Sequence, residues 1–178
     1  MKKKRAAAAL VVVAACLSSP AQAQAPGGAE RSAVLKAARE LMEKARFCAL
    51  VTVGEDGHPQ ARTVDAFAPD DDMTVWIATN PVTRKVQQVA KDPRVTLYYY
   101  EPSGPGYVTL LGKAVVARDP AEKAKRWKED WAAFYKDKNR GDDYVLIKVT
   151  PFQLEIVSYG HGLLNDPASW RPIAISFP

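Results

Sequence analysis

The sequence predicts a mainly β domain with flanking helices, its six strands mainly antiparallel and curled into a small closed barrel. Three observations carry this. Six runs rich in β-branched and aromatic residues follow one another at short spacing between Phe47 and Ser158. The first three are separated by hairpin-type turns, which favours antiparallel pairing. Helical patterns fall at the ends and between strands.

The elements follow in order. Ala25 to Gly28 reads as a linker, and Glu30 to Arg46 as an amphipathic helix, because Val34, Leu35, Ala38, Leu41, Met42 and Ala45 recur at helical spacing. Phe47 to Val53 is a first strand, apolar on both faces and so expected to be buried. Gly54-Glu55-Asp56-Gly57 is a hairpin signal, followed by a second strand from Gln60 to Phe67. A polar turn, Pro69 to Asp72, leads to a third strand, Met73 to Thr79. A short helix is predicted over Pro81 to Ala90, with Asn80 as its cap and Pro81 at its first position. Arg94 to Glu101 and Tyr107 to Ala117 are the fourth and fifth strands; Gly112 inside the fifth suggests a bulge or corner. Asp119-Pro120-Ala121-Glu122 opens a further helix with a capping box, running to about Lys138 and carrying Trp127, Trp131, Phe134 and Tyr135 on one face. Tyr144 to Ser158 is the last strand, broken at Pro151 by a bend or bulge. The tail, 159–178, receives no structure.

The N-terminus reads as a targeting segment. Lys2 to Arg5 is basic, Ala6 to Leu17 is apolar but too short to span a bilayer, and Ala21-Gln22-Ala23 is a cleavage site. Residues 1–23 are therefore a Sec-type signal peptide, 24–29 a linker and 30–158 the domain, which puts the mature protein in the periplasm or outside the cell. Val13-Ala14-Ala15-Cys16 also resembles a lipoprotein box, so a membrane anchor through a lipidated Cys16 is the alternative. Removing the four basic residues of the signal from the 25 in the chain leaves 21 against 20 acidic ones. The mature chain is then nearly neutral, and charge gives no support to nucleic-acid binding. Cys48 is left alone, so no internal disulfide forms, and its apolar surroundings point to an inert thiol. Two histidines and no cysteine pair argue against a structural zinc site.

One stretch breaks a local rule. Thr79-Asn80-Pro81-Val82-Thr83-Arg84-Lys85 opens a helix with two cations, although a helix N-terminus prefers acids. Free N–H groups, two hydroxyls and two cations together suit a bound phosphate. The other reading is that Arg84 and Lys85 are ordinary surface cations.

The order of the pieces resembles the pyridoxamine 5'-phosphate oxidase-like family of FMN-binding split barrels, in particular its general stress protein branch. The resemblance runs through Asp56-Gly57-His58-Pro59, Ala61-Arg62-Thr63-Val64, Val75 to Thr79, Thr83-Arg84-Lys85, Asp92-Pro93-Arg94-Val95, Gly112-Lys113-Ala114 and Val149 to Glu155. It implies a six-stranded antiparallel split β-barrel of Greek-key, FMN-binding type, a homodimer, and FMN where two barrels meet. Carried onto this chain, Arg62 and Lys85 would bind the phosphate, assisted by Thr79, Asn80 and Thr83. Backbone from Arg62 through Thr63 and Val64 to Asp65 would lie along the ring, with Trp76 and Ile77 behind it. Arg84 is either part of the phosphate site or a surface residue. Trp131 would reach the cofactor from the second subunit, or else pack on the barrel. Flavin-dependent redox or flavin carrying follows as the expected function. Two departures stand out. Asp65 puts a carboxylate near the ring or bonds elsewhere, and export leaves open haem, a deazaflavin or no cofactor. In the haem-binding alternative His161 is the candidate ligand.

Overall fold

The computed structural model describes residues 28–101, 104–135 and 143–178. The signal segment, Cys16, linker residues 24–27, the loop positions 102–103 and the stretch 136–142 lie outside the described residues.

Helix α1 spans Gly28–Ala45, so the last two residues of the predicted linker are helical. Its face of Val34, Ala37, Ala38, Leu41 and Met42 is buried. The helix ends at Arg46, which takes the left-handed conformation (φ 58°) and donates its N–H to the Met42 carbonyl.

Seven strands follow: β1 Phe47–Val53, β2 Pro59–Asp65, β3 Val75–Thr79, β4 Arg94–Glu101, β5 Gly106–Ala117, β6 Val145–Val157 and β7 Ile173–Ser176. All pair antiparallel in the order β2-β1-β4-β5-β6-β3, with β7 also on β6. The predicted six become seven because the tail contributes β7, where Ile175 is buried against the core. The barrel is not closed. Among the described residues its two ends, β2 and β3, meet at an isolated bridge between Ala66 and Ile77. The turn after β2 therefore does not make a hairpin ladder; β3 pairs with β6 instead, Val75 opposite Val149 and Thr79 opposite Val145. β1 and β2 do form the predicted hairpin, closed by Gly54 and by Gly57 at φ 79°. β1 is buried on one face and half-buried on the other, which nothing among the described residues fully covers; Phe47 at its start is exposed.

Between β3 and β4 lies helix α2, Arg84–Lys91. Between β5 and β6 the predicted long helix is replaced by a short helix α3, Pro120–Lys125, and a 3-10 turn, Glu129–Ala133. Asp119 caps α3 as predicted, accepting from the Glu122 N–H at 2.9 Å. Glu122 does not close the box; its carboxylate pairs with Arg126. The helix stops at Arg126, whose side chain is pulled down onto the barrel, and tertiary contact overrides helical propensity there.

The core fills the barrel with Leu50, Leu97, Leu110, Ile147, Leu154 and Ile156. Cys48 is buried within it, and burial pushes its thiol up to about 11, as an inert cysteine requires. The break predicted at Pro151 is a bulge: the ladder shifts register between Leu111, which faces Gln153, and Gly112, which faces Pro151, and a bulged strand bends there. A Cβ on Gly112 would lie 2.6 Å from the Thr150 carbonyl oxygen, and backbone cannot yield as a side chain can. Gly112→Ala is expected to destabilise the fold by about 1–3 kcal/mol in urea denaturation; an unchanged midpoint would remove this contact from the account.

Candidate functional site

The open seam between β2 and β3 holds a cleft of about 380 Å³. One wall is the end of β2, Thr63 to Asp65; the opposite wall is the end of β3, Ala78 and Thr79, continuing into Asn80. Lys85 lines the cleft from helix α2, and Trp131, Phe134 and Tyr135 line it from the segment after α3.

The phosphate-like corner is built differently from the sequence prediction. Thr79 stays in the sheet and is buried. The chain then makes a β-turn from Asn80 to Thr83, closed by the Thr83 N–H on the Asn80 carbonyl at 3.2 Å. Asn and Pro at the first two positions are the residues that turn favours. Asn80 Oδ1 accepts from the Val82 N–H at 3.0 Å, so it folds the turn and does not cap the helix. The cap position falls to Thr83, whose hydroxyl donates to the Asn80 carbonyl at 2.9 Å and lies 3.4 Å from the Thr79 hydroxyl. Helix α2 therefore starts at Arg84, three residues later than predicted, and Pro81 lies in the turn.

This shift puts Arg84 and Lys85 at the first two helical positions. Among the described residues their N–H groups meet no acceptor; the helix's own bonding begins with Val86 on the Thr83 carbonyl. Lys85 is half-buried and lines the cleft, while Arg84 is exposed and does not.

Arg62 lies on the inner face of β2 and is not in the cleft wall. Its guanidinium donates to Thr52 Oγ1 at 2.6 Å, to Gln88 Oε1 at 3.0 Å and to the Leu50 carbonyl at 3.3 Å. Thr52 and Gln88 are buried, and Gln88 is itself tied to Thr52 and Gln60. All these acceptors are neutral. No carboxylate among the described residues forms an ion pair with Arg62, Arg84 or Lys85. Burial, and then the Arg84 charge, lower the Arg62 guanidinium from its ordinary value. Burial, and then the Arg62 charge, lower the Lys85 ammonium. A cation pushed down in this way has its charged form under-stabilised, and a bound anion reverses that.

The remaining candidates fall as follows. Asp65 lines the cleft, with its carboxylate held loosely by Arg46 at 3.4 Å and Lys128 at 3.9 Å. Trp131 reaches the cleft from the same chain that supplies Lys85. Thr83 is outside the wall but bonded to Thr79 within it. His161 is occupied elsewhere: Nδ1 lies 2.8 Å from Ser158 Oγ and Nε2 lies 2.9 Å from Glu40 Oε2. Sequence reasoning missed Gln88 and Thr52 as holders of Arg62. The available signal was a glutamine on the apolar face of a short helix, next to Val89 and Val86. It also left Phe134 and Tyr135 as packing residues. Among the described residues no group of three His, Cys, Asp or Glu side chains is placed to hold a metal ion.

Residues 34–158 match the family model described as pyridoxamine 5'-phosphate oxidase. Solved structures share the fold. A protein related to general stress protein 26 from Clostridium acetobutylicum gives a TM-score of 0.65 at 20% identity, covering 82% of this chain and 94% of its own. General stress protein 26 from Bacillus anthracis gives 0.61 at 21%, covering 70% and 93%. A pyridoxamine 5'-phosphate oxidase-related, FMN binding protein from Nostoc punctiforme gives 0.54 at 16%, covering 88% and 100%. No curated protein matches the sequence.

The network around Arg62 gives a first test of the site. Gln88→Leu leaves the Arg62 Nη2 and the Thr52 hydroxyl without their shared acceptor. It is expected to lower stability by about 1–3 kcal/mol in urea denaturation. A variant as stable as the parent would mean that Gln88 does not hold Arg62.

Proposed function

Because the chain belongs to the pyridoxamine 5'-phosphate oxidase family, we propose that it binds FMN in the β2–β3 cleft and serves flavin-dependent redox chemistry or flavin carrying. The observation that carries this is the cation corner. Arg62, Arg84 and Lys85 gather around two free helical N–H groups with no carboxylate ion-paired to them among the described residues. A dianionic phosphate supplies the missing charge and accepts from those N–H groups.

The residues divide the work. Lys85 and the first turn of α2 bind the phosphate, with the Thr79 and Thr83 hydroxyls beside them. Arg62, fixed by Thr52 and Gln88, adds charge from the β2 side at no cost in freedom on binding, because it is already held. Thr63 to Asp65 offer backbone and one carboxylate along one side of the ring, and Trp131 offers an aromatic surface on another. FMN, when bound, supplies hydride or electron transfer, and the protein orients it and limits its exposure to water.

A homodimer is part of the same reading. Phe47, Tyr98, Tyr100, Val115 and Phe152 are exposed on outward-facing strand positions, and cross-strand partners such as Ala49 and Tyr98 continue the apolar face. A second copy is the occupant we infer for that face. Export by the segment ending at Ala23 completes the proposal and puts the mature protein in the cell envelope.

In FMN titrations of residues 24–178, Lys85→Ala and Arg62→Ala are each expected to weaken binding by more than about tenfold, roughly 1.4 kcal/mol. Riboflavin, which lacks the phosphate, should lose little. Unchanged FMN affinity in both variants would sink the site. Protein recovered from the envelope should have an intact mass beginning at Gln24 and sediment as a dimer. A lipidated Cys16 would overturn the soluble form, and a monomer the dimer.

A further inference from the structure

The aromatic end of the cleft is carried by a segment with little regular structure. After α3 the chain makes a short turn and then the 3-10 turn Glu129–Ala133, on which Trp131 sits, with Phe134 and Tyr135 just beyond. Backbone bonding within so short a turn does not fix its position on the barrel. Something else does, and the contacts identify Arg126.

Arg126 is 7% exposed, an unusual burial for a guanidinium. Its plane lies over the Trp76 ring, 3.9 Å from the centroid. Nη2 is 3.1 Å from Asp70 Oδ2, and Nη1 pairs with Glu122. The same Asp70 oxygen accepts the Trp76 indole N–H at 2.7 Å. One cation thus joins the β2–β3 turn, strand β3 and helix α3. From this anchor Trp127 packs on Tyr144 at 5.7 Å, and Trp131 packs edge-on against Phe67 at 5.6 Å.

We propose that Arg126 is a positioning residue that sets the aromatic wall of the cleft, and so governs how the ring end of the cofactor is held while leaving the phosphate end untouched. This rests on the FMN reading above. Lysine cannot replace Arg126, because it lacks both the plane that stacks on Trp76 and the fork that meets two carboxylates. Removing the charge altogether leaves Asp70 and Glu122 without the cation they share beside a buried ring.

The test compares FMN and riboflavin on residues 24–178 carrying Arg126→Met, Arg126→Lys, Asp70→Asn or Lys85→Ala. The readouts are both affinities and the fluorescence of the bound flavin. Arg126→Met is expected to weaken FMN and riboflavin together by about tenfold, with their affinity ratio unchanged. Bound-flavin fluorescence should move toward that of free flavin as the aromatic wall withdraws. Arg126→Lys and Asp70→Asn should move the same way by less, and they carry the test if Arg126→Met fails to fold. Lys85→Ala should alter the ratio and not the fluorescence. Parent-like affinities and fluorescence in Arg126→Lys and Asp70→Asn, beside a parent that binds FMN, would overturn the positioning role alone. A changed FMN-to-riboflavin ratio in the Arg126 variants would overturn it as well, because the effect would then reach the phosphate end. A parent that binds neither flavin would overturn the FMN reading and this inference with it.

Discussion

The close approach of Gly112 to the Thr150 carbonyl, at the bend of β6, is the constraint on which the rest of the structure depends. β6 is thirteen residues long and pairs with β5 along most of its length. On its other edge it takes β3 before the bend and β7 after it. Had β6 run straight, β3 and β7 would have continued one flat edge, which a twisted sheet disfavours. β3 and β2 form no ladder, and among the described residues the Ala66–Ile77 bridge is the one pairing that joins them. The seam left open beyond that bridge is the cleft. Its position therefore follows from the topology, before any side chain in it is considered.

Charge is handled differently in the cleft from elsewhere. Away from it several cations pair with acids, Arg94 with Asp92, Lys44 with Glu101 and Arg126 with Asp70 and Glu122, while Arg31 and Arg39 donate to backbone carbonyls. Most of those pairs are exposed and contribute little individually. Lys85 in the cleft wall and Arg62 and Arg84 beside it have, among the described residues, neutral acceptors or none. Holding like charges together in a half-buried place costs stability, and a fold tolerates such a conflict where a ligand relieves it. Gln88 makes the arrangement workable. It accepts from Arg62 without neutralising it, so the charge stays available while the side chain stays fixed.

Much of this was legible in the sequence, for reasons that differ by element. The antiparallel β class, the first hairpin, the helix before β1 and the Asp119 cap rest on local pattern, and local pattern survived folding. The cation-bearing helix start was legible as a composition but misplaced in register. Asn80-Pro81 satisfies the rules for a helix start and for a β-turn equally well, and the pairing of Thr79 with Val145 decided for the turn. The long aromatic helix failed because Arg126 left the helix for Trp76 and Asp70, partners some fifty residues earlier in the chain. The open seam failed as well, since no periodicity reports whether the last ladder of a barrel is made. β7 escaped notice because four residues in a proline- and glycine-rich tail give too short a run to read.

The two ends of the cleft thus have different physical origins. In the proposed site the turn, its hydroxyls and two of the cations of the phosphate end lie within the seven residues Thr79 to Lys85, while Arg62 joins them from β2, held by Thr52 and Gln88. The aromatic end draws on Phe67, Asp70, Trp76, Arg126, Trp131 and Tyr144, which only the completed fold brings together. The turn is the local part of that end, and substitutions elsewhere in the barrel reach it chiefly through the Arg62–Thr52–Gln88 network. An end assembled from distant contacts responds to changes at any of its anchors. The phosphate corner is accordingly the part of the site expected to stay constant as the sequence varies. The aromatic wall, shaped by Arg126 and its partners, is where a change in the chemistry served by the cleft is physically easiest to make.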